Sequence, residues 1–158
     1  VLSSCNRGWR HPTDQTIDLI DSAIDQARRE TRRFEGLSFE KRNLFDIDPG
    51  RRFDVVHASL VLHHFKGDAA TEAIRKMAAL SRVGLVVNDL HRHPVHWLSS
   101  KVIIPLVTDN EISHHDGPVS VLRGFTRREL VDLARDAGLA SYTIEWTFPF
   151  RWLLVGRG

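Results

Sequence analysis

The stretch Phe53-Asp54-Val55-Val56-His57-Ala58-Ser59-Leu60-Val61-Leu62-His63-His64-Phe65 constrains the fold of this chain more than any other. Its β-branched pair favours an extended backbone. The run then breaks into the small polar trio His57-Ala58-Ser59, recovers as Leu60-Val61-Leu62, and closes on two adjacent histidines. A buried strand that ends in small and titratable residues suits an open α/β sheet, where ligands bind beyond the carboxyl ends of the strands.

The flanking sequence alternates strand and helix signals. Thr16-Ile17-Asp18-Leu19-Ile20-Asp21 alternates apolar and polar residues and predicts a strand. Asp21 or Ser22 then caps a helix running to about Arg33. Leu37 to Lys41 reads as a short strand, followed by Asn43-Leu44-Phe45-Asp46 and a turn at Asp48-Pro49-Gly50. Asp68 to Ser81 carries a helical apolar stripe, with Arg82-Val83-Gly84 ending it. Leu85-Val86-Val87 is a buried strand that stops at Asn88-Asp89. Trp97 to Val107 suggests a helix interrupted at Pro105, and His114-His115-Asp116-Gly117-Pro118 reads as a loop. Thr126 and Glu129 form a capping box for a helix that ends at Gly138. Tyr142 to Trp146 and Trp152 to Val155 make an antiparallel pair. This order predicts an α/β fold: a Rossmann-like, doubly wound, mostly parallel sheet with a C-terminal antiparallel hairpin. Val1 to Gln15 has breakers and no period, begins without methionine, and reads as irregular and incomplete. One domain over 1–158 is expected, with 91–123 as an insert.

Composition narrows the partners. The 158 residues suit one domain with a full core. There are 22 basic and 20 acidic residues, a net charge of only +2, and the arginine pairs sit beside acids. That pattern is a solvated surface, so no nucleic-acid partner is expected. The single Cys5 excludes an internal disulfide and fits a reducing, cytoplasmic compartment. No apolar run approaches the ~18 residues of a membrane span, and no signal peptide is read. Eight of the nine histidines fall between His57 and His115. His91-x-His93-x-x-His96 and His114-His115-Asp116 offer metal-type ligands, but their spacing matches no zinc pattern, so no metal is expected.

Four pieces of the chain, in order, carry a resemblance: Ile17 to Arg28, Phe53 to Phe65, Leu85-Val86-Val87-Asn88-Asp89-Leu90, and Gly124-Phe125-Thr126-Arg127-Arg128-Glu129-Leu130 through Leu139. They resemble the second strand and helix, the fourth strand, the fifth strand and the last helix of the class I S-adenosylmethionine-dependent methyltransferases. Asn88-Asp89-Leu90-His91-Arg92 and His115 to Val121 are similar to the small-molecule branch of quinone and polyketide type. The resemblance implies S-adenosylmethionine as cofactor and a methyl transfer, most often to oxygen, on a small aromatic or polyketide-like acceptor. It also implies a glycine-rich loop after the first strand. Val1 to Gln15 offers only Gly8 there, so the expectation is either missing sequence or a relative without activity that serves binding or assembly.

The resemblance assigns roles by position. Asp18, with Asp21 as the alternative, would bind the ribose hydroxyls unless either is only a helix cap or surface acid. Asn43 and the backbone of Leu44 would meet the adenine, unless Asn43 is only a turn residue. His57, Ala58 and Ser59 would lie beside the transferring methyl. His64 or His115 would act as base, since an imidazole titrates near neutrality. His63 and Asp116 would contact the acceptor, and Arg92 and Arg123 would orient an anionic or phenolic one unless they only form surface salt bridges. Trp97 to Leu106 would form a lid over an apolar acceptor, or else a core or homodimer contact.

Overall fold

The computed structural model describes residues 2–6, 13–18, 21–32, 36–65, 67–107, 109 and 111–158. In order these form β1 (Leu2–Asn6), β2 (Thr13–Asp18), α1 (Asp21–Glu30), β3 (Leu37–Lys41), β4 (Phe53–Ser59), α2 (Asp68–Leu80), β5 (Ser81–Leu90), α3 (Pro94–Val107), α4 (Glu111–Arg123), α5 (Arg127–Asp136), β6 (Ser141–Thr147) and β7 (Arg151–Arg157). Single turns of 3-10 helix at Leu44–Asp46 and Leu62–His64 follow β3 and β4. The strands join in one sheet of order β3-β2-β1-β4-β5-β7-β6. Pairing directions put β2, β3, β4, β5 and β6 parallel to one another, with β1 and β7 reversed. The expected mostly parallel α/β sheet with a terminal antiparallel hairpin is therefore present.

The first strand departs from expectation. Leu2–Asn6, read as irregular, is a strand inserted between β2 and β4. It runs against both, with Leu2 opposite Ile17 on one side and Ala58 on the other. Open backbone groups on the facing sides of β2 and β4 need partners, and a short segment of weak pattern supplies them from either direction. Gly8 and its neighbours in the link to β2 lie outside the described residues.

The core forms where periodicities coincide. Val56 and Ala58 of β4 and Leu85 and Val87 of β5 are buried, as strand alternation requires, and Phe53 is buried too, offset by a register irregularity between Phe53 and Val55. Against them α2 turns Ala70, Ala73, Ile74, Met77 and Leu80, spaced for one helix face. Ile74, Leu85, Ala134 and Leu154 are completely buried, and each such aliphatic side chain larger than Ala contributes about 1.5–3 kcal/mol. The helix end expected at Arg82-Val83-Gly84 is instead part of β5, which starts at Ser81 directly after α2. Pairing with β4, Val55 opposite Gly84, overrides the local breaker signal.

The insert is helical. His114 to Pro118, expected as a loop, lies within α4. Gly117 of α4 faces the tip of the Ile104 side chain on α3, where a Cβ would meet Cδ1 at 2.1 Å. The opposite face of α3 leaves Val95, Leu98, Val102, Ile103, Leu106 and Val107 each more than half exposed.

Gly124 locks α4 to the sheet. A Cβ at this position would fall 2.6 Å from the Leu90 carbonyl and 3.0 Å from that of Val121. Backbone cannot yield as a side-chain tip can, so Gly124→Ala is expected to destabilise the fold by about 1–3 kcal/mol, read as a lowered urea midpoint at unchanged slope.

Candidate functional site

The carboxyl ends of β4 and β5 are joined through one acid. Asp89 is 1% exposed. Its Oδ2 accepts hydrogen bonds from the backbone N–H groups of Leu62 at 2.7 Å and His63 at 3.3 Å. Its Oδ1 takes the Leu90 N–H at 2.7 Å and lies 2.6 Å from His63 Nδ1. An ionised carboxylate only accepts, so the proton of that contact sits on His63 Nδ1. The turn it holds begins at Leu60, whose φ of 55° is unusual for a branched side chain and whose N–H donates to Asn88 O at 2.9 Å. Backbone of this kind costs about 1–3 kcal/mol and persists where surroundings fix it.

His63, expected as a substrate contact, is buried to 5% and committed to Asp89. His64 is the exposed member of the pair, its ring centroid 4.1 Å from that of His63. Burial, with opposition from the neighbouring His63 and Arg123 charges, pushes His64 below its ordinary value, against a pull from Asp89. An imidazole so placed stays neutral at pH 7 and can accept a proton.

The remaining expected residues divide into groups. Asp18 ends β2, and Asn43 and Leu44 follow β3, the neighbouring parallel strand, so all three share the sheet edge with Ser59. Asn43 caps its turn by accepting from Phe45 N at 3.1 Å, and the Leu44 side chain is buried. Asp21 is paired with Lys41 at 2.6 Å on the surface. His57 and Ser59 are half-buried on one face of β4, whereas Ala58 is 1% exposed on the other, so alternation separates the trio read as one floor. Burial also lowers His57. Asn88 Oδ1, opposite Ser59, is buried with no hydrogen-bond partner among the described residues, an acceptor that a ligand donor would satisfy.

Arg92 and Arg123 meet across a cleft of about 270 Å³, whose lining also includes Phe65, Phe125, Glu129 and Leu133. Phe125 N donates to Leu90 O at 2.8 Å and Arg92 N to Phe125 O at 2.9 Å, which stitches the two segments together. Arg92 is ion-paired with Glu129, the residue that closes the α5 capping box. His115 and Asp116 are not brought here. They stand exposed on α4, two helical turns or about 12 Å from Arg123, beside a separate groove of about 400 Å³ with Trp97, Lys101 and Leu122. His91, His93 and His96 gather around Phe150, with His96 stacked on its ring at 5.0 Å. Among the described residues no group of three or more histidine, cysteine or acidic side chains is placed to hold a metal. No described helix is long and apolar enough to cross a membrane.

Sequence reasoning missed the linking role of Asp89 and that of Glu129 as partner of Arg92. A signal for the first existed: an acid at the end of the apolar run Leu85-Val86-Val87 is improbable unless it has work to do there.

Asp89→Ala removes the acceptor for four donors, three of them backbone, and should destabilise the chain by about 3–5 kcal/mol in chemical denaturation. A second expectation concerns pH. His57, His64 and His91 are all lowered from 6.5, burial being the first cause for each. Below that value the unfolded chain binds protons that the folded chain refuses, so stability rises with pH through this window. Thermal midpoints should be level near neutrality and fall as the pH drops below about 6.5.

No family model and no curated protein matches the sequence. Solved structures do match. An O-methyltransferase family protein from Burkholderia thailandensis is 21% identical, with a TM-score of 0.63 over 90% of this chain and 42% of that one. The magnesium protoporphyrin IX methyltransferase of Synechocystis with bound SAH is 16% identical, TM-score 0.59, over 91% of this chain and 64% of the other. Human N-acetylserotonin methyltransferase in complex with SAM is 17% identical, TM-score 0.61, over 90% and 39%. The chain thus spans less than two thirds of the length of these structures. The likeness, together with the strand order and the C-terminal antiparallel hairpin, establishes that this chain has the fold of the S-adenosylmethionine-dependent methyltransferases.

Proposed function

We propose that this chain is the core of an S-adenosylmethionine-dependent methyltransferase that methylates a small aromatic or polyketide-like acceptor, most often at oxygen. The observation that carries this reading is the Asp89–His63 pair, which fixes the turn presenting His64 at the carboxyl edge of a methyltransferase-type sheet. Residues 1–158 act as one domain, with 91–123 facing the acceptor, in a reducing cytoplasm where Cys5 stays a thiol.

The residues at this edge suit the nucleoside half of the cofactor. The Asp18 carboxylate accepts from ribose hydroxyls, and Asn43 and the Leu44 N–H meet the adenine. Asn88 Oδ1 offers the unsatisfied acceptor between them and the acceptor side. The methionine half has less support, because β1 is reversed and its last residue, Asn6, lies at the opposite edge of the sheet. When bound, the cofactor supplies an electrophilic methyl on a sulfonium, which the acceptor oxygen takes as the carbon–sulfur bond breaks. The protein's part is positioning, since in-line displacement gains most from held geometry. His64 removes the hydroxyl proton, and the His63 ring, tilted by 38° at 4.1 Å, packs against that of His64.

A second reading is a methyltransferase-like binding module without transfer activity, and the reversed β1 is what favours it. Calorimetric titration with S-adenosylmethionine and S-adenosylhomocysteine separates the possibilities: binding of both supports the first reading, and no binding of either removes it. With a phenolic acceptor, His64→Ala should lower kcat by about 10²–10⁴-fold. The rate of the parent chain should fall on the acid side of pH 6.5, as His64 becomes protonated below its lowered value. A variant that kept this acid limb would remove His64 from the role of base.

A further inference from the structure

We infer that the cleft lined by Arg123 and by Phe65, the residue after His64, takes an anionic acceptor, a single-ring aromatic carboxylate, held by Arg123. The inference rests on the methyltransferase reading for its consequence but on the cleft for its substance. About 270 Å³ lies just below the usual range of small-molecule clefts and suits one ring rather than a polycyclic scaffold. Phe65, Phe125 and Leu133 give it apolar walls.

Each acid lining the cleft has an arginine partner, although Asp132 and Asp136 share one, and among the lining arginines only Arg123 has no carboxylate partner among the described residues. Glu129 is held by Arg92 and by the N–H and hydroxyl of Thr126, which ties both to the start of α5. Asp132 and Asp136 each pair with Arg135 at 3.1 Å. Arg123 makes no hydrogen bond or ion pair among the described residues. Its backbone position is rigid, because the next two residues are fixed to the end of β5 through Gly124 packing and the Phe125 N–H to Leu90 O bond. A guanidinium that is always charged, fixed at its base and without a carboxylate partner suits a planar carboxylate, which it can bind with two parallel hydrogen bonds. Arg92 is already paired with Glu129.

The arrangement assigns two functions to two groups. The acceptor carboxylate goes to Arg123, and a hydroxyl on the same ring is left for His64. A neutral amide in place of the carboxylate would keep the ring contacts and lose the charge-assisted pair.

The test titrates salicylate and salicylamide into the full chain, following ligand binding by nuclear magnetic resonance. Salicylate should bind about tenfold or more tightly than the amide, and Arg123→Gln should abolish that difference while leaving amide binding unchanged. Equal affinity for the two ligands in the parent chain would overturn the inference. So would a preference for the acid that survives in Arg123→Gln. Titration with S-adenosylhomocysteine runs alongside. A preserved acid preference without cofactor binding would leave the Arg123 site standing and remove the methyltransferase reading. Cofactor binding without acid preference would do the reverse.

Discussion

Asp89 accepts four hydrogen bonds where two strands of the sheet give way to loops, and most of the site depends on that meeting. A carboxylate at 1% exposure is unfavourable unless its lone pairs are filled. Here they are filled by the turn after β4, so the desolvation of one side chain is linked to the position of a whole loop. His63 completes the arrangement at 4% side-chain exposure, and His64 rests on its ring at the surface. The Leu60 backbone, with positive φ, is tolerated because this network holds both sides of it.

The reversed β1 stands between two strands that are parallel to each other. It satisfies the facing edges of β2 and β4, and so keeps a seven-stranded sheet continuous. It does so with its amino end, Leu2, at the carboxyl edge of its neighbours and its own carboxyl end, Asn6, at the opposite edge. The carboxyl ends of β2, β3 and β4 keep their common edge, because those strands remain parallel to one another. What changes is local to the slot between them.

The insert divides into two faces with different roles. Gly117 lies against the Ile104 side chain of α3, and Gly124 lets the end of α4 close against the Leu90 backbone of β5. Through that chain of close approaches Arg123 reaches the cleft, while His115, on the same helix, is carried about two turns away. The outer face of α3 remains aliphatic and exposed.

Much of the fold was legible in the sequence. The alternation of β4, the stripe of α2, the Thr126–Glu129 box and the terminal hairpin are local patterns whose period equals that of the structure they form. Residues taken in order along a strand or helix therefore predicted sheet class and most boundaries. Site membership was less legible. Asp18, Asn43 and Ser59 could be placed by strand ends, but no local pattern distinguishes His63 from His64, and only burial against Asp89 makes one a support and leaves the other open. The direction of β1 was also undecided, since backbone edges accept a strand either way. The sequence determined periodicity and the residue types at each strand end. Tertiary structure decided which charges found partners, because that depends on contacts between segments far apart in the chain: Arg92 with Glu129 and His63 with Asp89, while Arg123 was left to face the cleft.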